Sequence, residues 1–266
     1  MNRTVVSVGA VLALVGVALG CKSKEDQKPD KEHDVAPLVE TIDDDAVAVL
    51  KRAVTLLRDT DTFSVTADTG FDVVQTNGQK IEFGSIREAV ISRPNRARFE
   101  TQRRDGKRAV VVFDGNDIWV YSPTHEIYAR TSQPGNLDDS IAFLIHELGI
   151  TVPLSDLYTS DVGAELGADL RSCFIVGDSS VAGVVCDQVA ARSSYADFQI
   201  WISKSDQPLI QRIVISYREE PGQPQFRADF RDWNMAPKPP SSTFIFQPPA
   251  GTERIRFADI QMQDEE

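Results

Sequence analysis

The chain has 266 residues, of which 41% are hydrophobic, and a formal net charge of −12 at pH 7. A strongly acidic surface argues against nucleic acid as a partner and against adsorption to anionic lipid headgroups, so those classes of protein are set aside. The length is sufficient for one large β-rich domain or for two small ones.

The first predicted element is a secretory signal peptide. After Arg3, residues 4–20 carry no formal charge. A membrane-spanning helix needs roughly 20 apolar residues, so a stretch of this length is more typical of a processed signal. The residues Ala18-Leu19-Gly20-Cys21 resemble the lipobox of bacterial lipoproteins, with alanine where leucine is usual. The resemblance implies cleavage over 1–20 and lipidation of Cys21. A signal cut elsewhere and an uncleaved anchor are the alternatives.

Residues 21–40 are predicted to form a flexible, charged spacer behind the lipidated cysteine. They are rich in Lys, Glu, Asp, Gln and Pro, and such a composition cannot bury enough apolar surface to offset the entropy of ordering. Lys22 follows the cysteine, and by resemblance to the sorting rule of enteric bacteria this favours the outer membrane. We therefore expect a protein anchored by lipid at the periplasmic face of a bacterial cell envelope, with one domain over 41–260 and a polar tail over 261–266.

The domain begins with a predicted helix and continues as strands. Apolar residues recur at helical spacing over 42–58, with Thr41 as the N-cap. Alternation then predicts strands with one buried face. These strands cover 63–73, 80–92, 97–104, 107–113, 117–122 and 126–131, then 172–178, 182–192, 196–203, 209–219, 224–233 and 243–247. Asn136 is predicted to cap a helix over 136–148 between the two sets. Short connections indicate an antiparallel meander.

Cys173 and Cys186 form an even pair in a chain expected to reach the oxidising periplasm. The residues between them, Gly177-Asp178-Ser179-Ser180, are typical of a turn. A hairpin around that turn would place the two cysteines on facing strands, within the Cα separation of roughly 4.4–6.8 Å that a disulfide needs. We therefore predict a Cys173–Cys186 disulfide, with two buried free thiols as the alternative.

Motifs for catalysis and for metal binding are missing from the sequence. His146-Glu147 begins a His-Glu-x-x-His pattern, but Ile150 stands where the second histidine is required. There is no Gly-rich phosphate loop, no Gly-x-Ser-x-Gly elbow and no Cys-x-x-Cys pair. We expect no catalytic residue, no metal and no cofactor, and hence a protein that is not an enzyme. A hydrolase with an undetected pair of carboxylates is the minor alternative.

Two sets of residues resemble known proteins. The stretch Asp114–Ser122, which reads DGNDIWVYS, resembles the Asp-Gly-x-x-Leu-Trp-x-Tyr hairpin of LolA-like periplasmic carriers. The C-terminal half is similar to an uncharacterised family of predicted periplasmic proteins within the LolA/LolB-like superfamily. The stretches that carry this second resemblance are Gly183–Ala190, Gln199–Ile202, Pro208–Ile210, Trp233 and Phe244–Gly251. Histidine often follows Cys-Asp in that family, and Gln188 stands there in this chain, so no role of that histidine is carried over.

The resemblance implies an α+β fold that is mainly antiparallel β. Its sheet, of about 11 strands, is a strongly curved half-barrel whose concave face is covered by helices. Relatives use such a concavity to hold acyl chains of lipoproteins or other lipids. For this chain, the implied lining of a hydrophobic ligand cavity is Phe71, Phe83, Phe99, Trp119, Phe143, Leu144 and Leu148. A packed core needs the same residue types, so each of these side chains also suits plain packing.

Two functional hypotheses follow from this fold. In the first, a lipid-anchored periplasmic protein binds an acyl chain, a lipoprotein or another hydrophobic ligand in its cavity without catalysis. In the second, the interior is packed and free of ligand, and the domain serves envelope protein–protein interaction or stress sensing. The first requires accessible apolar surface on the concave face, whereas the second requires that face to be filled.

Overall fold

A computed structural model of the protein describes residues 41–150, 154–161 and 169–257. The signal peptide, Cys21, the spacer and the tail over 261–266 lie outside these residues, so lipidation remains a prediction. Within the described ranges the chain forms two α-helices and one 12-stranded sheet. None of the described helices is long and apolar enough to cross a membrane.

The two helices precede the two halves of the sheet. They are α1 (Asp44–Asp59) and α2 (Leu137–His146). The strands are β1 (Thr62–Val74), β2 (Lys80–Ser92), β3 (Arg96–Arg103), β4 (Arg108–Phe113), β5 (Asp117–Ser122), β6 (Ile127–Ser132), β7 (Ser172–Val181), β8 (Val184–Arg192), β9 (Ala196–Ser203), β10 (Ile210–Tyr217), β11 (Gln225–Asn234) and β12 (Glu253–Arg254).

The sheet joins two antiparallel meanders. Its strand order is β12-β6-β5-β4-β3-β2-β1-β11-β10-β9-β8-β7, and the halves meet where β1 pairs with β11. The short strand β12 pairs in parallel with β6, and β7 forms the opposite edge, so the sheet is open. The predicted half-barrel with an antiparallel meander is confirmed, with 12 strands in place of about 11.

Two local predictions are wrong, and one short strand was missed. The strand expected over 243–247 is a short 3-10 turn at Ser241–Phe244, because prolines on both sides of it remove backbone donors. The strand β12 has only two residues and was not predicted. The N-cap of α1 is Asp43, whose carboxylate accepts from Asp45 N at 2.9 Å. Thr41 lies beside β7 instead, where its carbonyl accepts from Cys173 N.

The core lies between the helices and one face of the sheet, which we call the inner face. The helix α1 packs against β7, β8 and β9. Its apolar stripe is buried, as is that of α2, and both join one cluster with inner-face residues of the strands. The buried helix residues are Ala46, Val49, Ala53, Leu57, Leu137, Ile141 and Leu144. Because each fully buried aliphatic side chain contributes about 1.5–3 kcal/mol, this packing fixes the position of the helices.

The predicted Cys173–Cys186 disulfide is wrong, since both cysteines are free and buried. In the β7–β8 hairpin Cys173 lies opposite Ala191, and Cys186 lies opposite Ser179. Six residues of strand from Cys173 to Ser179 correspond to about 20 Å, well beyond the reach of a disulfide. The alternative prediction, two buried free thiols, is therefore the correct one.

The position of the turn explains the error. The chain turns at Ala182 and Gly183, whose φ values are 49° and 84°, as a two-residue hairpin turn requires. The predicted turn at 177–180 lies inside β7, with a β-bulge between Ile175 and Gly177. Burial raises the pKa of the Cys173 thiol to about 11, so it stays protonated at neutral pH.

Candidate hydrophobic ligand site

The inner face changes character along the β1–β2 hairpin. On β1 the inner-face side chains Phe63, Val65 and Ala67 are buried, whereas Phe71 and Val73 further along the same face are exposed. The partner strand changes in the same direction, from a buried end at Ile91 to an exposed one. Because alternate residues of a strand share one face, both ends belong to the same surface. One end is buried under the helices, and the other is partly exposed.

The exposed end forms a compact group of side chains that we call the uncovered patch: Phe71, Val73, Ile81 and Phe83. These side chains are between 36% and 44% exposed. Phe71 lies directly opposite Phe83, and Val73 lies opposite Ile81. The two phenyl rings stack with centroids 6.0 Å apart. The largest contiguous apolar patch on a protein is often functional, whereas singly scattered exposed apolar side chains need no explanation.

A polar band separates the uncovered patch from the packed core. It consists of Thr69 on β1, Ser85 and Arg87 on β2 and Thr101 on β3. Thr69 Oγ1 lies 3.0 Å from Ser85 Oγ, and both residues are buried. Arg87 donates from Nε to Thr69 Oγ1 at 3.4 Å and from Nη1 to Thr101 Oγ1 at 3.2 Å. Arg103 of β3 lies on the same face, opposite Ser85, and pairs with Asp105 at 2.9 Å. The band therefore places cationic groups beside the apolar part of the inner face.

The guanidinium of Arg87 is poorly solvated. Burial lowers the pKa of Arg87 to about 10. The neighbouring phenol of Tyr158 is buried against Phe99, with ring centroids 5.0 Å apart. Burial raises the pKa of Tyr158 to about 12, and the nearby Arg87 cation only partly opposes this rise. Tyr158 is therefore neutral at physiological pH and does not balance the charge of Arg87.

The outer face beneath the uncovered patch is held by ion pairs. Glu82 accepts hydrogen bonds from Arg104 at 3.0 Å and from Arg227 at 2.6 Å. Arg227 also donates to Asp72 at 3.0 Å, and Asp72 accepts from the backbone N–H of Gln225. Each exposed pair contributes only about 0.2–1 kcal/mol, but together they connect β1, β2 and β11. The patch therefore rests on an ordered support.

The structure separates the seven predicted cavity residues. Phe71 and Phe83 lie in the uncovered patch. Phe99 and Leu144 are buried in the core, and Phe143 and Leu148 are half-buried against it. These last four side chains fill the covered part of the inner face.

Trp119 is the seventh predicted residue, and it lies on the other side of the sheet. Its neighbours Ile118 and Val120 face inward and are buried. The Trp119 ring stacks with Tyr128 at 6.1 Å and contacts Phe246 at 5.5 Å, while Arg130 lies 4.8 Å over it. The seven residues therefore do not converge on one site.

Sequence reasoning missed the polar band and half of the uncovered patch. Val73 and Ile81 continue the alternation of Phe71 and Phe83, so the same pattern could have included them. Arg87 stands at an inner-face position of β2 between Ser85 and Ala89. Arg87 falls where the alternation of β2 predicts an apolar residue, and this exception could have indicated the polar band.

A groove lies on the outer face of the sheet. It has a volume of about 630 Å³ and lies between the strands β3–β5 and the segment that follows β11. Its lining mixes charged and apolar side chains, including Arg98, Glu100, Arg108, Tyr121, Ile245 and Phe246. The Phe246 ring packs against Tyr121 with centroids 5.2 Å apart. Neither this groove nor the contact of the C-terminal segment with the outer face was predicted.

The described residues hold no group of three or more His, Cys, Asp or Glu side chains arranged to bind a metal ion. His125 and His146 are both exposed. The inner face combines apolar side chains with several hydroxyl groups and with Arg87 and Arg103.

Comparison with known proteins places these features in a family context. A family model described as "Predicted periplasmic protein (DUF2092)" matches residues 46–258. No curated protein sequence matches the chain.

Solved structures with a similar arrangement include the following three. The Pseudomonas aeruginosa MucA/MucB complex has 18% identity and a TM-score of 0.43, with 76% of this chain and 61% of that chain covered. Mycobacterium tuberculosis lipoprotein LppX has 13% identity and a TM-score of 0.43, with 74% and 98% covered. The LolA superfamily protein NE2245 from Nitrosomonas europaea has 12% identity and a TM-score of 0.35, with 76% and 97% covered. The chain thus spans less than two thirds of the length of the MucA/MucB complex chain.

Proposed function

The chain belongs to the DUF2092 family of predicted periplasmic proteins, and we propose that it binds the acyl chain of a lipid or lipoprotein on the inner face of its sheet, without catalysis. The observation that carries the proposal is the uncovered patch. Phe71, Val73, Ile81 and Phe83 stay exposed on the face whose other end is tightly packed. A hydrophobic ligand would complete the cover that the helices provide elsewhere.

The size of the patch favours a single chain of lipid over a protein surface. Four partly exposed side chains offer on the order of 300 Å² of apolar area, given that one aromatic side chain buries about 150–250 Å². A stable protein interface needs about 800 Å² from each partner. Covering 300 Å² is worth about 7 kcal/mol before the cost of ordering the ligand. The patch therefore suits one flexible apolar chain, which can cover an area of this size, better than it suits a folded protein surface.

The place of action follows from the N-terminal sequence. We propose that Cys21 is lipidated and anchors the protein at the periplasmic face of the envelope, in the outer membrane. The spacer over 21–40 has 20 residues, and a fully extended chain of that length reaches about 70 Å. The domain could therefore meet lipid at the membrane surface while staying attached to it.

A second candidate function, interaction with an envelope protein, is supported by the packed interior and by one free edge of the sheet. The inner face beneath the helices is filled, as an envelope protein-interaction module would require. Beyond Cys173, no described strand pairs with the free edge of β7. Phe174 and Val176 on that strand are 47% and 53% exposed. An extended peptide from an envelope protein could add to such an edge.

Removal of both phenyl rings from the uncovered patch tests the acyl-chain proposal. For the double variant Phe71→Ser, Phe83→Ser we expect the Kd for a fluorescent long-chain fatty acid to rise at least about tenfold, because the lost apolar contact is worth more than 1.4 kcal/mol. The measurement is a fluorescence titration of protein recovered from a bacterial periplasm and freed of lipid.

The matched control is Phe174→Ser, which removes an equally exposed phenyl ring from the outer face of β7 and should leave the Kd unchanged. Urea unfolding of each variant confirms that the fold is retained. An unaltered Kd in the double variant, or no uptake of the probe by the wild-type protein, would refute the proposal.

A further inference from the structure

Arg87 is unusual among the arginines of the described sheet. Arg104, Arg212 and Arg227 each pair with a carboxylate on the outer face. Arg103, which neighbours Arg87 on the inner face, pairs with Asp105 at 2.9 Å. Arg87 lies on the same face, and its hydrogen bonds go to two neutral hydroxyl groups. No acidic side chain within the described ranges forms an ion pair with it. It is thus a cation without an acidic partner among these residues, in a chain of net charge −12.

The chemistry of a guanidinium defines what would complete this arrangement. Arginine has five N–H donors in a fixed planar fork, and the two observed hydrogen bonds leave donors of Arg87 available. Burying a charge without a counter-ion is unfavourable, which is consistent with the lowered pKa of this side chain. A carboxylate or a phosphate matches the fork and would offset the desolvation of the cation. The hydroxyls of Thr69 and Thr101 hold the fork in place for it.

The position of Arg87 relates it to the uncovered patch. Along β2 the inner-face residues run Ile81, Phe83, Ser85, Arg87. At about 3.3 Å per residue, Phe83 lies about 13 Å and Ile81 about 20 Å from Arg87 along the strand. The hydrocarbon core of a bilayer is about 30 Å thick, so one acyl chain spans about 15 Å. An acyl chain whose head group lies at Arg87 is therefore long enough to extend over the uncovered patch.

We propose that Arg87 binds the anionic head group, a carboxylate or a phosphate, of an amphiphile whose acyl chain lies on the uncovered patch. The inference rests on the proposed acyl-chain function and adds the ligand class and its orientation. The charged end points toward the core and the chain runs out over Phe83 and Phe71. The site then binds amphiphiles with one anionic head group more tightly than neutral amphiphiles with the same acyl chain.

Ligands of equal chain length test this selectivity on the wild-type protein. Palmitate, hexadecyl phosphate and hexadecanol are each used to displace a fluorescent fatty acid. We expect at least one of the two anions to bind about tenfold or more tightly than the alcohol, as a charge-assisted pair provides. The tighter anion identifies whether the head group is a carboxylate or a phosphate. Equal displacement by all three ligands would overturn the proposal without any variant.

Substitutions at Arg87 locate the effect. In Arg87→Met the preference for the anion should vanish while the affinity for hexadecanol is retained, and Arg87→Lys should fall between because it keeps the charge without the fork. Arg108→Gln removes the same charge from an exposed position and should preserve the preference. If Arg87→Met keeps the preference, the head group binds elsewhere and the inference fails while the acyl-chain function stands. If none of the ligands displaces the probe, the proposed function fails, and the inference fails with it.

Discussion

Replacing Phe63 by alanine is expected to lower the free energy of unfolding by about 3–5 kcal/mol. Phe63 is fully buried at the start of β1, where its ring lies 6.2 Å from that of Trp233. The substitution removes a large side chain from the covered part of the inner face and leaves a cavity that the helix and strands cannot refill. Urea unfolding followed by tryptophan fluorescence measures the loss.

The control for this prediction is Phe71→Ala, on the same strand and the same face. Phe71 is 44% exposed, so its truncation should lower the free energy of unfolding by less than about 1 kcal/mol. The contrast between these two phenylalanines tests the division of the inner face into a packed part and an uncovered part. Equal losses would mean that the division is wrong.

Leu144→Ala is expected to destabilise the fold by about 2–5 kcal/mol. Leu144 is fully buried on α2, whereas Leu148, just beyond the end of that helix, is half-buried. Both were predicted to line a ligand cavity, and a residue that lines an open cavity can be truncated with little loss. Thermal and urea unfolding of the two alanine variants therefore separate packing from lining.

For Leu148→Ala we expect a loss of about 1 kcal/mol or less. A small loss at Leu144 would indicate that α2 covers an open space and that the ligand site extends beneath it. A large loss at both positions would show that the residues after α2 are packed as firmly as the helix itself.

Much of the strand pattern could be read from the sequence because two signals coincide there. The bounds of β2 and β5 match the predicted ranges, since alternation fixes the face of each residue and glycine or asparagine marks each turn. The β7–β8 turn was misplaced because Gly177 and Gly183 give similar signals. Only the hydrogen-bonded pairing of β7 with β8, which contains a bulge after Ile175, shows which of the two glycines lies in the turn. A register of this kind depends on contacts that local sequence does not record.

The same limit applies to the site. Periodicity shows that Phe71, Phe99 and Leu144 face the interior, but coverage depends on where the helices lie, and this is decided by tertiary packing. Trp119 is a different case. It alternates with Ile118 and Val120, so the sequence already placed it on the opposite face. The C-terminal run around Phe246 is apolar enough for a strand, yet it packs on the outer face, where the Phe246 ring contacts three aromatic rings at tilted angles.

The two functional hypotheses correspond to two parts of one surface. The interaction hypothesis expected a filled interior, and the part under the helices is filled. The carrier hypothesis expected accessible apolar surface, and the end of the β1–β2 hairpin provides it. What distinguishes them is therefore whether a hydrophobic ligand occupies that end.

Photo-cross-linking with a diazirine-bearing long-chain fatty acid, followed by peptide mapping, tests this most directly. If the uncovered patch binds the acyl chain, the label falls on β1 and β2, at Phe71, Val73, Ile81 or Phe83, and an excess of unlabelled fatty acid competes it away. Labelling of the outer groove at Tyr121 and Ile245, or of the edge strand β7 at Phe174, would contradict the proposed acyl-chain site and place the ligand elsewhere on the molecule.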